Sequence, residues 1–229
     1  MAVVGTLVAS LFAATQASSV AAPPASPGPA RGAVHPAGCN VATPTKGSTA
    51  YARCYAEGLA TSDGRLVQQD AEPPATALGP DEIRSAYHLP DSGAGRTVAI
   101  VDAFGYANAE SDLAIFRAHY GLPPCTTDNG CFTKVDQRGG TDYPAEDPDW
   151  SIETALDLDA VSSACPRCNI LLVQADNNSS PALGQAVDTA ASLPGVVAIS
   201  NSYGAAGEFP FESYYDHYYD HPEIGRAHV

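Results

Sequence analysis

The residues best suited to proton-transfer chemistry lie in Trp150-Ser-Ile-Glu153-Thr-Ala-Leu-Asp157-Leu-Asp159. Read as a helix, this stretch sets Glu153 and Asp157 one turn apart on one face, with Ile152, Leu156 and Val161 on another. Asp142, Glu146, Asp147, Asp149, Glu153, Asp157 and Asp159 all fall between Arg138 and Arg167, with no Lys or Arg among them. Carboxylates held together without a cation tend to share a proton, which raises one pKa and makes the pair able to accept and return protons. A solvated acidic face is one alternative. A calcium site is another, although a calcium loop normally carries tighter, Gly-bearing ligand spacing.

Such a pair needs a frame. Thr97-Val-Ala-Ile-Val-Asp102 is a continuous β-branched and apolar run that predicts a strand buried on both faces. Residues 108–120 follow with Leu113, Phe116 and Tyr120 at helical spacing, and Gly121 stops them. A Gly- and Pro-rich loop runs to about Pro148; then the pattern predicts a helix over 150–164, a strand over 169–174, a helix over 181–192 and a strand over 196–200. Strands alternating with helices predict an α/β fold, a parallel sheet with helices on both faces, and ligands gather at the carboxyl ends of such strands. Asp102 and Asn201-Ser202-Tyr203-Gly204 therefore stand out, although Asp102 could also be a strand-ending cap and Ser202, Tyr203 and Gly204 a strand-ending turn.

Eleven basic against 26 acidic residues give a net charge of −15, which repels phosphate backbones and anionic membranes and argues against nucleic-acid binding. Ala2 to Ala14 is an apolar or small run too short to span a bilayer, followed by small residues that suit signal-peptidase cleavage. The expected organisation is a signal peptide at 1–22, a Pro- and Ala-rich stem at 23–38, a short leader or propeptide remnant at 39–78 and a region of alternating strands and helices at 79–222. The chain is then expected to be secreted and extracellular. In an exported chain the spacing of the six cysteines favours local disulfides, Cys39 with Cys54, Cys125 with Cys131 and Cys165 with Cys168. The alternatives are zinc held by Cys125, Cys131, Cys165 and Cys168, or a redox pair at Cys165 and Cys168.

Taken together, Asp102 at the end of a strand, the E-x-x-x-D pair Glu153 and Asp157, and Val197-Ala-Ile-Ser-Asn-Ser202-Tyr203-Gly204 resemble the sedolisins, the serine-carboxyl peptidases of subtilisin-like fold. Asp81-Glu-Ile-Arg-Ser-Ala-Tyr87-His-Leu-Pro90 is similar to that family's usual entry into its catalytic domain. The resemblance implies that Glu153 is the general base toward a seryl hydroxyl, that Asp157 orients and tunes it, and that Asp102 supports it through a hydrogen bond. It implies that Ser202, Tyr203 and Gly204 pair with the backbone of a protein or peptide substrate, and that the protein is a monomer. A carboxylate base suits acidic solution, where an imidazole is protonated below about pH 6. None of His35, His88, His119, His217, His221 and His228 sits in the His-Gly-Thr-His context of ordinary subtilisins.

The family's nucleophile lies in a Gly-Thr-Ser motif and its oxyanion acid in an Ala-Gly-Asp-Ser-Gly motif, and the sequence contains neither. The resemblance therefore implies a subtilisin-like sheet incomplete at the C-terminus, an inactive fragment, and a calcium ion whose ligands lie outside this stretch. Glu223-Ile-Gly-Arg-Ala-His-Val229 reads as an adapter-derived tail at 223–229. A secreted, non-catalytic peptide-binding domain on the same scaffold is the alternative function.

Overall fold

The computed structural model describes residues 33–36, 39, 45, 48–60, 73, 77–205, 207–222 and 224–227. All of them belong to the compact unit Gly32–Val229. The expected signal peptide and most of the stem lie outside the described residues.

The frame is a five-stranded parallel sheet of β4 (Thr97–Ala103), β5 (Phe132–Asp136), β6 (Asn169–Ala175), β7 (Val196–Ser200) and β9 (Gly225–Ala227), in the order β5-β6-β4-β7-β9. Three helices cover it, α2 (Ala109–His119), α3 (Pro148–Ala164) and α4 (Ser180–Ser192), and α1 (Pro80–Ala86) packs on α3. Alternation along β4 decides which helix each side chain meets. Ala99, Val101 and Ala103 pack with Leu183, Ala186, Val187 and Ala190 of α4, whereas Ile100 packs with Leu113 of α2 and Leu158 of α3. Helices thus lie on both faces, as the alternating pattern predicts. Burial on both faces is also why β4 and β6 read as unbroken apolar runs.

Two small antiparallel ribbons complete the fold. β1 (Ala33–Pro36) pairs with β3 (Glu57–Ala60), and β2 (Arg53–Cys54) pairs with β8 (Tyr203–Gly204). Gly225–Ala227, inside the stretch read as an adapter-derived tail, runs parallel to β7. The loop expected before Pro148 contains a strand, β5, paired with β6 at the sheet's edge. The three disulfides are Cys39–Cys54, Cys125–Cys131 and Cys165–Cys168, which takes up every cysteine. Among the described residues no helix is long and apolar enough to cross a membrane.

Candidate active site

The helix that carries the acidic pair begins at a well-made cap. Asp147 is extended and its Oδ1 accepts hydrogen bonds from the amides of Asp149 and Trp150 at 3.0 Å each, with Pro148 in the first helical position. From there α3 runs along the sheet with its carboxylate face turned inward: Glu153 is 2% exposed and Asp157 6%, while Leu156, expected on an apolar face, is 50% exposed. The face expected to be apolar is therefore partly the solvent face, and the acidic pair points to the interior. Trp150 wedges the start of the helix between Phe104 and Tyr203, with ring centroids 6.3 and 6.4 Å away.

Asp102 meets this face from the sheet. It follows Val101 on β4, so it projects on the α3 side, and it is fully buried at 0% exposure. Just beyond it the chain turns through Phe104, whose φ of 64° is in the left-handed region that a bulky residue seldom adopts. The expected hydrogen bond from Asp102 to Glu153 is not formed. Neither oxygen of Asp102 has a hydrogen-bond partner, nor does Asp157 Oδ2, nor either polar atom of Gln174, which lies opposite Asp102 on β6. Glu153 instead turns to the segment around β2: its Oε2 accepts from the amides of Tyr55 and Ala56, both at 2.7 Å. Two backbone donors on one oxygen satisfy a buried carboxylate better than another acid could.

Burial pushes all three carboxyls up. Asp102 is raised well above its ordinary value by desolvation, then by the neighbouring charges of Asp157 and Glu153. The Thr154 hydroxyl does not offset this, because it donates to the Trp150 carbonyl at 3.0 Å. Asp157 is pushed from an ordinary value of 3.8 to about 7 by desolvation, eased by the Ser202 hydroxyl and reinforced by Glu153. Glu153 is also raised by desolvation, and the amides of Ala56 and Tyr55 pull it back down. The arrangement therefore separates roles: the two amides favour the ionised form at Glu153, while Asp157 retains its proton to about pH 7. One group can accept a proton while its neighbour holds one.

Ser202 and Tyr203 join this cluster, Ser202 beside Asp157 and Tyr203 close enough to Asp102 for the carboxyl to raise the phenol's pKa, after desolvation and Tyr219. Gly204 pairs with Arg53, and a Cβ there would stand 3.0 Å from the Tyr55 hydroxyl. The remaining acids of the run are dispersed. Glu146 accepts from the Ala107 amide at 2.6 Å, and the amide of Asp142 donates to Asp136 at 2.8 Å. Asp159 is pushed up to about 8 by burial, with Asp112 adding to the rise, where α2 meets α3. Among the described residues no group of three or more His, Cys, Asp or Glu side chains is arranged to hold a metal ion.

The chain is similar to Pseudomonas sedolisin. Over 56% of this chain and 35% of that one the two share 21% identity, with a TM-score of 0.44, so this chain spans about a third of that structure's length. That protein is a serine-carboxyl proteinase, seen complexed with two molecules of pseudo-iodotyrostatin. No protein-family model and no curated protein matches the chain.

Two features of the site were not singled out from the sequence. Trp150 and Phe104 roof the cluster, and only the fold brings Phe104, at the end of β4, to Trp150 on α3. The segment that donates to Glu153 did leave a trace: Ala50-Tyr-Ala-Arg-Cys-Tyr-Ala56 alternates small and large residues, the period of a strand.

Proposed function

We propose that this chain carries the acid/base part of a secreted serine-type endopeptidase of the serine-carboxyl class, acting on proteins or peptides at acidic pH. The observation that supports this reading is a buried, cation-free pair of carboxyls, Glu153 and Asp157, beside a strand edge, Tyr203–Gly204, that accepts an extended backbone antiparallel to itself. Ionised Glu153 takes the proton of an attacking seryl hydroxyl and returns it to the leaving amine. Asp157 keeps its own proton in acid and lowers the cost of charge on Glu153 by sharing it. Asp102, with both oxygens unpartnered, is a neutral neighbour that limits the negative charge around the pair.

The chain has no Gly-Thr-Ser, so by itself it positions a base without the nucleophile and hydrolyses nothing. Its disulfides suit the oxidising environment of a secreted protein. The test is peptide hydrolysis by the product of the whole reading frame between about pH 3 and 7, the range a carboxylate base governs. Glu153→Gln and Asp157→Asn each lower kcat by orders of magnitude without unfolding the protein. Activity that peaks near neutrality and disappears with a histidine-modifying reagent would overturn the assignment. The β2 to β8 pairing also favours a second reading, a secreted peptide-binding domain without catalysis, which peptide binding with no hydrolysis by that same product would support.

A further inference from the structure

Residues 50–56 lie in the fold as a bound peptide would. On one edge Arg53 and Cys54 pair antiparallel with Gly204 and Tyr203. On the other edge the Ala52 amide donates to the Asn178 carbonyl at 2.7 Å, Asn178 Nδ2 donates to the Ala52 carbonyl at 2.7 Å, and the Ser180 amide donates to the Ala50 carbonyl at 2.9 Å. Tyr51 bridges Ser179, also antiparallel. The segment is thus held between two walls largely by main-chain bonds, a mode that any extended peptide can adopt whatever its side chains. Its next two amides reach Glu153.

What the segment does not do is fill the space beside it. A cavity of about 270 Å³ opens against Ala50, Tyr51 and Ala52, with Tyr203, Phe209, Tyr215 and Tyr219 among its walls and Glu212 and Asp216 among its polar groups. No Lys, Arg or His lines it, and neither carboxylate takes part in an ion pair among the described residues. Aromatic faces attract a cation and cover an aliphatic stem, and the solvent-exposed carboxylates of Glu212 and Asp216 in the lining add negative charge to meet it. A small side chain uses none of this. The Ala50 and Ala52 methyls are buried but short, so the resident segment satisfies the backbone walls and leaves the side-chain pocket open.

Resting on the peptidase reading and naming the substrate class for its cleft, we infer that this pocket receives an arginine or lysine side chain of an extended peptide that displaces residues 50–56, in the register of Ala50 or Ala52. The resident segment is then a weak stand-in for a basic peptide.

The test measures binding alone, on the full chain with its disulfides intact. Ala52→Pro and Tyr55→Pro together remove the amides that donate to Asn178 and Glu153 and so loosen the segment. Fluorescent decapeptides with the sequence of residues 48–57, Ser replacing Cys54, carry Arg, Leu, Ala or Glu in the Ala50 or the Ala52 register. In at least one register the Arg peptide binds the loosened chain at least tenfold more tightly than the Ala and Leu peptides, and the Glu peptide binds worst. Glu212→Gln with Asp216→Asn removes the Arg advantage and leaves the Leu peptide unchanged.

A second measurement needs no loosening. In the otherwise unaltered chain, Ala50→Arg or Ala52→Arg slows hydrogen exchange at the Tyr55 and Ala56 amides severalfold relative to the matching Leu variant, and the matching Glu variant speeds it. Arg and Leu behaving alike in both registers of both measurements would overturn the basic pocket and leave the peptidase reading standing. No binding by any peptide, together with no effect of the Ala50 and Ala52 variants on exchange, would overturn the cleft itself, on which both depend.

Discussion

Replacing Asp157 by Asn should change how stability depends on pH more than it changes stability at any one pH. In the folded chain Asp157 keeps its proton up to about pH 7, whereas unfolded it releases it near 3.8. Between those values the native state binds the extra proton, so raising the pH weakens the fold; the contribution is complete below 3.8 and gone above about 7. At about 1.36 kcal/mol per pKa unit, a shift of roughly three units corresponds to about 4 kcal/mol across the window, a large part of the 5–15 kcal/mol that holds a typical domain together. Asn does not ionise, and this part of the slope disappears. Trp150, the chain's single tryptophan and buried in the cluster, reports unfolding in urea from pH 4 to 8. The gap between variant and wild type should move in the variant's favour by some 2–4 kcal/mol over that range, the lower figure allowing for charge shared with Glu153 and Asp102. A gap that moves by less than about 1 kcal/mol would refute the claim that Asp157 is buried as a protonated acid.

Gln174→Met should stabilise the protein by about 1 kcal/mol in urea unfolding, because both polar atoms of the buried Gln174 side chain lack partners; a loss of stability would show that they are satisfied after all. Arg117→Met should cost on the order of 3 kcal/mol, since the buried guanidinium donates to the carbonyls of Pro123 and Pro166 and to Ser162 Oγ at 2.6 to 3.0 Å, and a neutral result would contradict that clamp. Acrylamide should quench native Trp150 fluorescence far less than that of the urea-unfolded chain; equal quenching in both states would place the indole in solvent, contrary to its 2% exposure.

The frame was legible where one physical cause dominates. Thr97 to Ala103 is buried on both faces and so reads as an unbroken apolar run, and α3 and α4 begin within two residues of the starts expected at 150 and 181. β5 was missed because an edge strand is only half selected for burial: Phe132-Thr-Lys-Val-Asp136 carries Thr and Lys where a central strand would carry Val or Ile. The acidic pair was legible because its spacing fixes a shared helical face, but its environment was not. Whether Glu153 meets Asp102 or the amides of Tyr55 and Ala56 depends on residues nearly a hundred positions away along the chain. Leu156 shows the same limit, since periodicity states which residues share a face and not which face looks inward.

The placement of the crosslinks determines what a protease nick would do. Cys39–Cys54 lies entirely before the residues that touch Glu153, and Cys125–Cys131 and Cys165–Cys168 lie entirely after them. One break anywhere from Tyr55 to Pro124 would therefore leave two pieces with no covalent bond between them. On a gel run without reductant they would migrate separately, and in dilute solution the amino-terminal piece could diffuse away while each piece kept its own sulfur bridges.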